Sequence, residues 1–471
     1  MTKNIGIKLI VLLIAFSISG CGSVATKHKF YEPITADLKA RKYSDAVVKV
    51  DAALADKKYS KKDRLLYYID AGMTKHYAGM YNPSNEKLTM AEDAAEELFT
   101  KSVSRAAASL LLNDNVLEYS GEDYEILYTN LVKALNYLYL GMFDGAFVEI
   151  RRANEKLNLL EQKYASTAEQ YSKVADDDTL NVNKNINYDI EKVRFNNDAF
   201  ARYLSMHIYA ADGQMDDARI DYDFLVDAFK SQPHIYNFSL PDVKYKPESN
   251  ELSLLSVVAL TGLSPNKEAV NLRIRTDKDL QLVQVLYTDG ARKGSEYGHI
   301  AFPVEEDYYF KFSLPQIVPR PSVIKTVKIK ANSQYLGELQ LIEDVSQVAS
   351  ETFKAKQSLI YFRSIARSIV KGLLAHKAKQ KIEKETGGGL GGWLAKAAVD
   401  IGTDVIENAD LRCSQLLPGK IYVGDFDIAP GVYNLTIEFI GLNGNIAYTR
   451  DIPGFKVAKN KFNLVEVVEL N

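Results

Sequence analysis

The sequence predicts a multidomain α + β chain: an irregular α-helical repeat domain, then a β-sandwich interrupted by a helical hairpin. Three observations predict it. Small and aromatic residues recur at helical spacing from Lys27 to about Phe229. Alternating segments rich in Val, Ile, Tyr and Phe begin near Ala269, and a cation-rich run from about Val345 breaks that alternation until it resumes at Lys420. A helix is read from apolar residues at i, i+3, i+4 and i+7, and a half-buried strand from a period of two. With 471 residues the chain is too long for one ordinary core, since domains hold roughly 150 residues each. A composition of 46% hydrophobic and 25% charged residues is that of a folded protein.

The first element is a leader. Lys3 and Lys8 precede and flank an apolar run from Ile10 to Phe16, the charge-then-apolar order of a secretory signal. The run ends in Ile18-Ser19-Gly20-Cys21, which resembles the lipobox of bacterial lipoproteins. That resemblance implies that residues 1–20 are a lipoprotein signal peptide and that Cys21 is lipidated and begins the mature chain. Acyl chains then provide the membrane anchor without a spanning helix. Gly22 stands where an aspartate often retains such proteins at the inner membrane, so the implied address is the outer membrane, facing the periplasm. No later apolar run reaches the roughly 18 residues of a membrane helix. Loss of Lys3 and Lys8 takes the formal charge from −3 to about −5. Such a balance argues against a nucleic-acid partner, which needs a basic face. Of the two cysteines, Cys413 is left without a partner, so no internal disulfide framework is expected.

The helical domain is expected over residues 21–232. Ala71-Gly72, Gly79, Tyr81, Ser84, Leu88 and Ala91 form one unit. Tyr43, Ala46, Val50 and Ala53 repeat its second half, as do Phe143, Ala146, Ile150 and Ala153, and Met215, Ala218, Tyr222 and Leu225. Offsets of 3, 7 and 10 residues after the turn residue put these side chains on one helix face. The pattern resembles the tetratricopeptide repeat, in which small residues let paired helices approach and a glycine-x-aromatic turn joins them. The turn residues 43, 81, 143 and 215 are unevenly spaced, so insertions or extra helices are expected between units. Leu98 to Leu112 is expected to supply one extra helix, Glu155 to Val174 prolongs the third unit, and the run from Asp176 to Asn187 reads as a solvated loop.

Near Pro233 the period changes, and Pro241 and Pro247 punctuate a linker or domain boundary. The first part of the sandwich, residues 250–344, is expected to hold strands over Ala269 to Arg275, Gln281 to Tyr287, Tyr308 to Leu314, Val323 to Ile329 and Leu336 to Ile342. Pro315, Pro319 and Pro321 should stop one strand before the next. The second part, residues 413–471, carries strands over Lys420 to Asp427, Val432 to Ile440, Ile446 to Thr449 and Phe462 to Glu469. Between them residues 345–412 read as an inserted helical hairpin, since neither flank holds enough strands for a sandwich of its own.

Few residues read as chemistry. The run Gly387 to Gly392 lacks the preceding strand and the following Gly-Lys-Ser/Thr of a phosphate loop, and reads as a hinge. The six histidines have no metal-ligand spacing, and no serine sits in a nucleophile elbow, so no catalytic, cofactor or metal residue is expected. His76 and His207 fall inside repeat helices as packing or surface residues. In the hairpin, Arg363, Arg367 and Lys371 flank Ile360, Ile365, Ile369 and Leu373. With Trp393 they are the candidates for contact with a membrane or an acidic partner.

The lipobox, Ala71 to Glu97, Glu122 to Leu157, Phe310 to Pro321, Ala366 to Lys371 and Ala409 to Arg412 together resemble an uncharacterised family of tetratricopeptide-containing bacterial lipoproteins. The resemblance carries no settled activity. The leading expectation is a membrane-anchored periplasmic scaffold or adaptor that binds an envelope protein through its helical repeats. The alternative is an envelope enzyme or an activator of a cell-wall synthesis enzyme.

Overall fold

The computed structural model describes residues 27–104, 117–175, 195, 197–280, 282–301, 309–354, 356, 357, 360 and 408–471. The first half is helical: α1 (Lys27–Lys39), α2 (Tyr43–Ala55), α3 (Arg64–Tyr77), α4 (Tyr81–Ser104), α5 (Asp123–Tyr139), α6 (Phe143–Ala175), α7 (Ala199–Ala211) and α8 (Met215–Ser231). Each packs against the next in the chain, and α3 also packs on α5, so helix pairs stack on one another.

Among the described residues one turn recurs four times directly ahead of a helix, and its two hydrogen bonds also close α2 at Lys57–Lys58. Gly141, at φ +70°, donates its N–H to the carbonyl of Leu138 (3.1 Å) while Met142 N–H reaches Tyr137 (2.8 Å). This pair of bonds closes a helix on a left-handed residue, a conformation that glycine adopts without a Cβ clash. The same two bonds form at Gly79–Met80, at Gly213–Gln214, and at Arg41–Lys42, where Arg41 takes the left-handed angle instead of glycine. After each turn the residue three positions beyond the turn residue is fully buried: Ala46, Ser84, Ala146 and Ala218. The expected buried face holds at 7 and 10 residues as well, save that Tyr222 is half-buried.

Gly72 and Gly141 divide in role. A Cβ on Gly72 would lie 2.3 Å from Leu88 Cδ2, whereas one on Gly141 would meet nothing within 4 Å. Packing needs the first, and the backbone angle needs the second. The helix expected over Leu98 to Leu112 is, as far as the described residues run, the end of α4. Glu155 to Val174 does prolong α6. The run from Asp176 to Asn187 lies outside the described residues.

The β half holds β1 (Ser253–Leu263), β2 (Asn266–Asp277), β3 (Leu282–Tyr287), β4 (Glu296–Ala301), β5 (Tyr309–Val318), β6 (Ile324–Ala331), β7 (Gln334–Asp344), β8 (Pro418–Ile428), β9 (Gly431–Gly441), β10 (Ile446–Val457) and β11 (Asn463–Glu469). These do not build the expected two-layer sandwich. Seven of them form one sheet, in the order β10-β9-β6-β7-β8-β1-β11, whose edge strands come back into contact so that it is nearly closed. All its pairings are antiparallel except that of β1 with β11. A core of Leu255, Val257, Ile329, Leu339, Ile437, Phe439 and Val467 fills its inside. The sheet curls on its own apolar face, which removes the need for a second layer. The strands over 266–318 form a separate four-stranded sheet, β4-β3-β2-β5.

Pro315 does not stop a strand. It sits within β5 opposite Ala269, and β5 is an edge of its sheet, where a missing N–H costs no ladder bond. The segment expected as a linker or domain boundary joins α8 to β1 and is packed in part. Ile235, Tyr236 and Val243 join the main core, and Tyr236 Oη donates to Glu343 (3.0 Å). The flanks of the expected hairpin leave from paired neighbours, with Asp344 of β7 opposite Lys420 of β8. Residues 345–354 continue as helix, and Val345, Val348, Ala349, Leu416 and Leu417 lie in the core. Residues 361–407 lie outside the described residues.

That core joins the two halves. The outer helices bury one stripe each, as α2 does with Ala46, Val47, Val50 and Ala53. The inner helices α3, α5 and α7 are buried on nearly every side. They face the outer surface of the curled sheet, where Val258, Leu260, Ile342, Ile421 and Val423 belong to the same cluster as Leu66, Leu131 and Leu204. At about 25 cal/mol per Å² of apolar surface, this shared burial is what fixes the array on the sheet.

Candidate functional site

A helix buried on all sides must pair its polar groups, and here the partners come from neighbouring helices, from the segment that leads into β8, and from the sheet. Asp70, in α3, is fully buried. Its carboxylate accepts from Tyr31 Oη on α1, from Tyr59 Oη at 2.8 Å, and from Ser414 Oγ at 2.8 Å. Burial pushes the Asp70 carboxyl up to about 7, against the lowering effect of those hydroxyls. Glu125, one step along on α5, accepts from Tyr119 Oη (2.7 Å), from the N–H of Glu122 (2.9 Å) and from the N–H of Ser414 (2.6 Å). Burial, and then the charge of Glu122, raise its carboxyl. Ser414 therefore bridges two buried acids with its hydroxyl and its backbone.

Around this pair the seam uses cations. Lys267 Nζ donates to Glu122 (2.7 Å) and Lys356 Nζ to the other oxygen of Glu122 (3.0 Å). Arg412 forks onto Asp410 (2.6 Å) and reaches Asp63 (3.3 Å). Cys413, between these groups, is a buried thiol that burial pushes up to about 12, so it stays protonated and packs.

Both histidines placed in repeat helices are buried at the same seam. Asn136 donates its amide to Ser84 Oγ (2.9 Å) and Asn85 Oδ1 (2.8 Å), which leaves its own Oδ1 to accept from His76 Nδ1 (2.7 Å). His76 Nε2 faces Glu466 of β11 at 2.8 Å. With an acceptor at each nitrogen the ring carries both protons. Burial opposes this charge, but Glu466 and Asn136 raise the imidazole above its ordinary value. His207 pairs with Asp425 of β8 at 3.1 Å, and Asp425 also accepts from Tyr203 Oη (2.9 Å) and Ser256 Oγ (2.6 Å).

No protein-family model, curated protein or solved structure matches this chain. The site is therefore read from its own geometry. Among the described residues no group of three or more His, Cys, Asp or Glu could hold a metal ion, and no helix is long and apolar enough to cross a membrane. Beside the seam lies an open recess of ≈ 520 Å³ between α1, the start of β2 and the segment that follows β5. Tyr31, Asn266, Glu268, Arg320 and Gln415 are among the residues that line it.

The candidates named from the sequence, Cys21, Arg363, Arg367, Lys371 and Trp393, lie outside the described residues, as does Gly387 to Gly392. Sequence reasoning missed Asp70, Glu125, Ser414 and Arg320. One signal pointed to the first: in α3, Asp70 and His76 stand among apolar residues with no polar face to carry them to solvent. In α5, Glu125, Thr129, Asn130, Lys133 and Asn136 share one stripe, which reads as a solvated face.

Proposed function

We propose that this protein is a lipid-tethered scaffold or adaptor that binds a periplasmic or envelope protein through its helical repeats. In this reading the lipid on Cys21 holds it at the outer membrane facing the periplasm, where confinement raises the effective concentration of its partner. The array is tetratricopeptide-like, a reading supported by the fourfold turn and the buried residues at fixed offsets beyond it. The observation that carries the proposal is how the titratable groups are used. Asp70, Glu125, His76 and Asp425 are buried in bonds between helices and sheet, so they make one rigid body and leave recognition to its outward faces. The protein is a binding module and not an enzyme. Because α3, α5 and α7 face the sheet, the partner surface falls on the outer helices. There Val48 on α2, Val148 on α6, and Ile220 and Phe224 on α8 stand exposed.

Photocrosslinking in intact cells tests this. A photoreactive residue at Val48, Val148 or Ile220 of the full-length chain should give one shared protein adduct, and the same residue at buried Val258 should give none. No adduct from the outer positions would sink the scaffold reading. Cys21→Ser, in parallel, should leave an uncleaved precursor that takes up no labelled fatty acid. Normal processing of that variant would remove the anchor.

A further inference from the structure

The recess beside the seam is walled by groups whose bonding is unfinished. Arg320 spends Nε on the carbonyl of Ser264 (2.6 Å) and Nη2 on that of Gln415, and Nη1 has no hydrogen-bond partner among the described residues. No carboxylate lies within ion-pair distance of this half-buried guanidinium among the described residues. Such a cation is ordinarily paired. Burial lowers it to about 10, which leaves it charged at neutral pH. On the same wall Asn266 Oδ1 is buried without a donor. A buried carbonyl oxygen left unmet costs about 1 to 3 kcal/mol. At the mouth, Glu32 of α1 and Glu268 of β2 are exposed carboxylates with no cation paired to either among the described residues.

A cation without an anion, an acceptor without a donor, and two anions without a cation are complementary to one kind of ligand. We propose that the recess binds a short peptide by its free termini. The carboxylate sits on Nη1 of Arg320, a peptide N–H meets Asn266 Oδ1, and the ammonium lies toward Glu32 and Glu268. A dicarboxylate would satisfy Arg320 but would leave Asn266 unmet, and phosphate or a dicarboxylate alike would face two carboxylates at the entrance with no ammonium to meet them. The volume, ≈ 520 Å³, falls among pockets of about 300 to 1,000 Å³ that enclose ligands larger than one amino acid. This inference does not rest on the outer-helix reading, since α1, β2 and the segment after β5 form the recess.

Calorimetric titration of the mature chain tests it with trialanine, its N-acetyl and C-amide forms, free alanine and inorganic phosphate. Trialanine should bind, and acetylation or amidation should each weaken binding about tenfold or more, the loss of one charge-assisted contact. Arg320→Gln should remove the sensitivity to amidation. The double variant Glu32→Gln with Glu268→Gln should remove the sensitivity to acetylation. If Arg320→Gln misfolds by near-ultraviolet circular dichroism, the glutamate pair, being exposed, still decides. Equal affinity for trialanine in the double variant and the native chain would overturn the proposal. So would phosphate or free alanine binding as tightly as trialanine, or no heat from trialanine at about 10 mM.

Discussion

Two buried polar regions of this molecule solve the same problem in opposite ways. Between α4, α5 and α6, Lys133 is almost wholly buried, with its Nζ 3.0 Å from Glu92 and 2.9 Å from Glu149. Lys156 adds a bond of 2.6 Å to Glu92. Burial pushes the Glu92 carboxyl up, yet Lys156 and Lys133 bring it down to about 2. At the helix–sheet seam, Asp70 has hydroxyl donors only, and burial carries it to about 7. Hydroxyls and N–H groups satisfy the oxygens of a carboxylate without balancing its charge, and cations do both. Glu92 is therefore charged across the ordinary pH range, whereas the seam contains an acid that titrates near neutrality.

The largest effect should come from breaking the charged region. Lys133→Met leaves Glu92 and Glu149 facing one another with Lys156 and Arg152 as the remaining cations. Removing one member of a buried ion pair costs about 3 to 5 kcal/mol. Urea unfolding should show that loss, and adding Glu149→Gln should recover part of it. A loss below about 1 kcal/mol would mean that Lys133 is not the charge that holds this region.

Next comes the seam. Below the unfolded value near 3.8, Asp70 is protonated in both states and its contribution to stability is complete. As pH rises from there to about 7, the unfolded chain releases the proton while the folded one keeps it, so stability falls. Above that the loss is complete, with an upper limit of about 4 kcal/mol. Asp70→Asn is neutral at every pH and similar in shape. The stability of the native chain relative to this variant should therefore decline between about pH 4 and pH 8, with the steepest part inside that window. The difference isolates Asp70 from Glu125, which burial raises in the same direction. A difference that stays constant over the range would show that Asp70 is ionised throughout.

The same contrast explains what was legible in the sequence. The turn glycines and the strands β2, β3 and β5 to β11 announce themselves locally, by left-handed positions and by alternation. β1 does not. It is packed by the sheet's own core on one face and by the helices on the other, and its buried run from Leu255 to Leu263 has no period of two. β4, with Gly298 and His299 inside it, does not show one either. The seam is illegible for a different reason: Asp70 and Ser414 lie 344 residues apart, and only the docking of helices on the sheet brings them together. What the sequence does carry is the demand, in α3, where Asp70 and His76 have no polar face. The identity of the partner that meets it is set by topology.

The smallest predicted effect sharpens the comparison most. Ser414→Ala removes one of three hydroxyls from Asp70 and leaves the backbone N–H of residue 414 on Glu125, so only the Asp70 side of the bridge is touched. Losing one hydrogen bond to a buried group costs about 1 kcal/mol. If that hydroxyl stabilises charge, the cost depends on pH, because the donor matters most when Asp70 is ionised. A protonated Asp70 can instead turn its own O–H toward Tyr31 or Tyr59. Thermal unfolding should then show a larger loss at about pH 8 than at about pH 5, and the declining window described for Asp70 should move upward. An equal loss at both values would mean that Ser414 contributes shape and not charge stabilisation, and that burial alone sets the titration of Asp70.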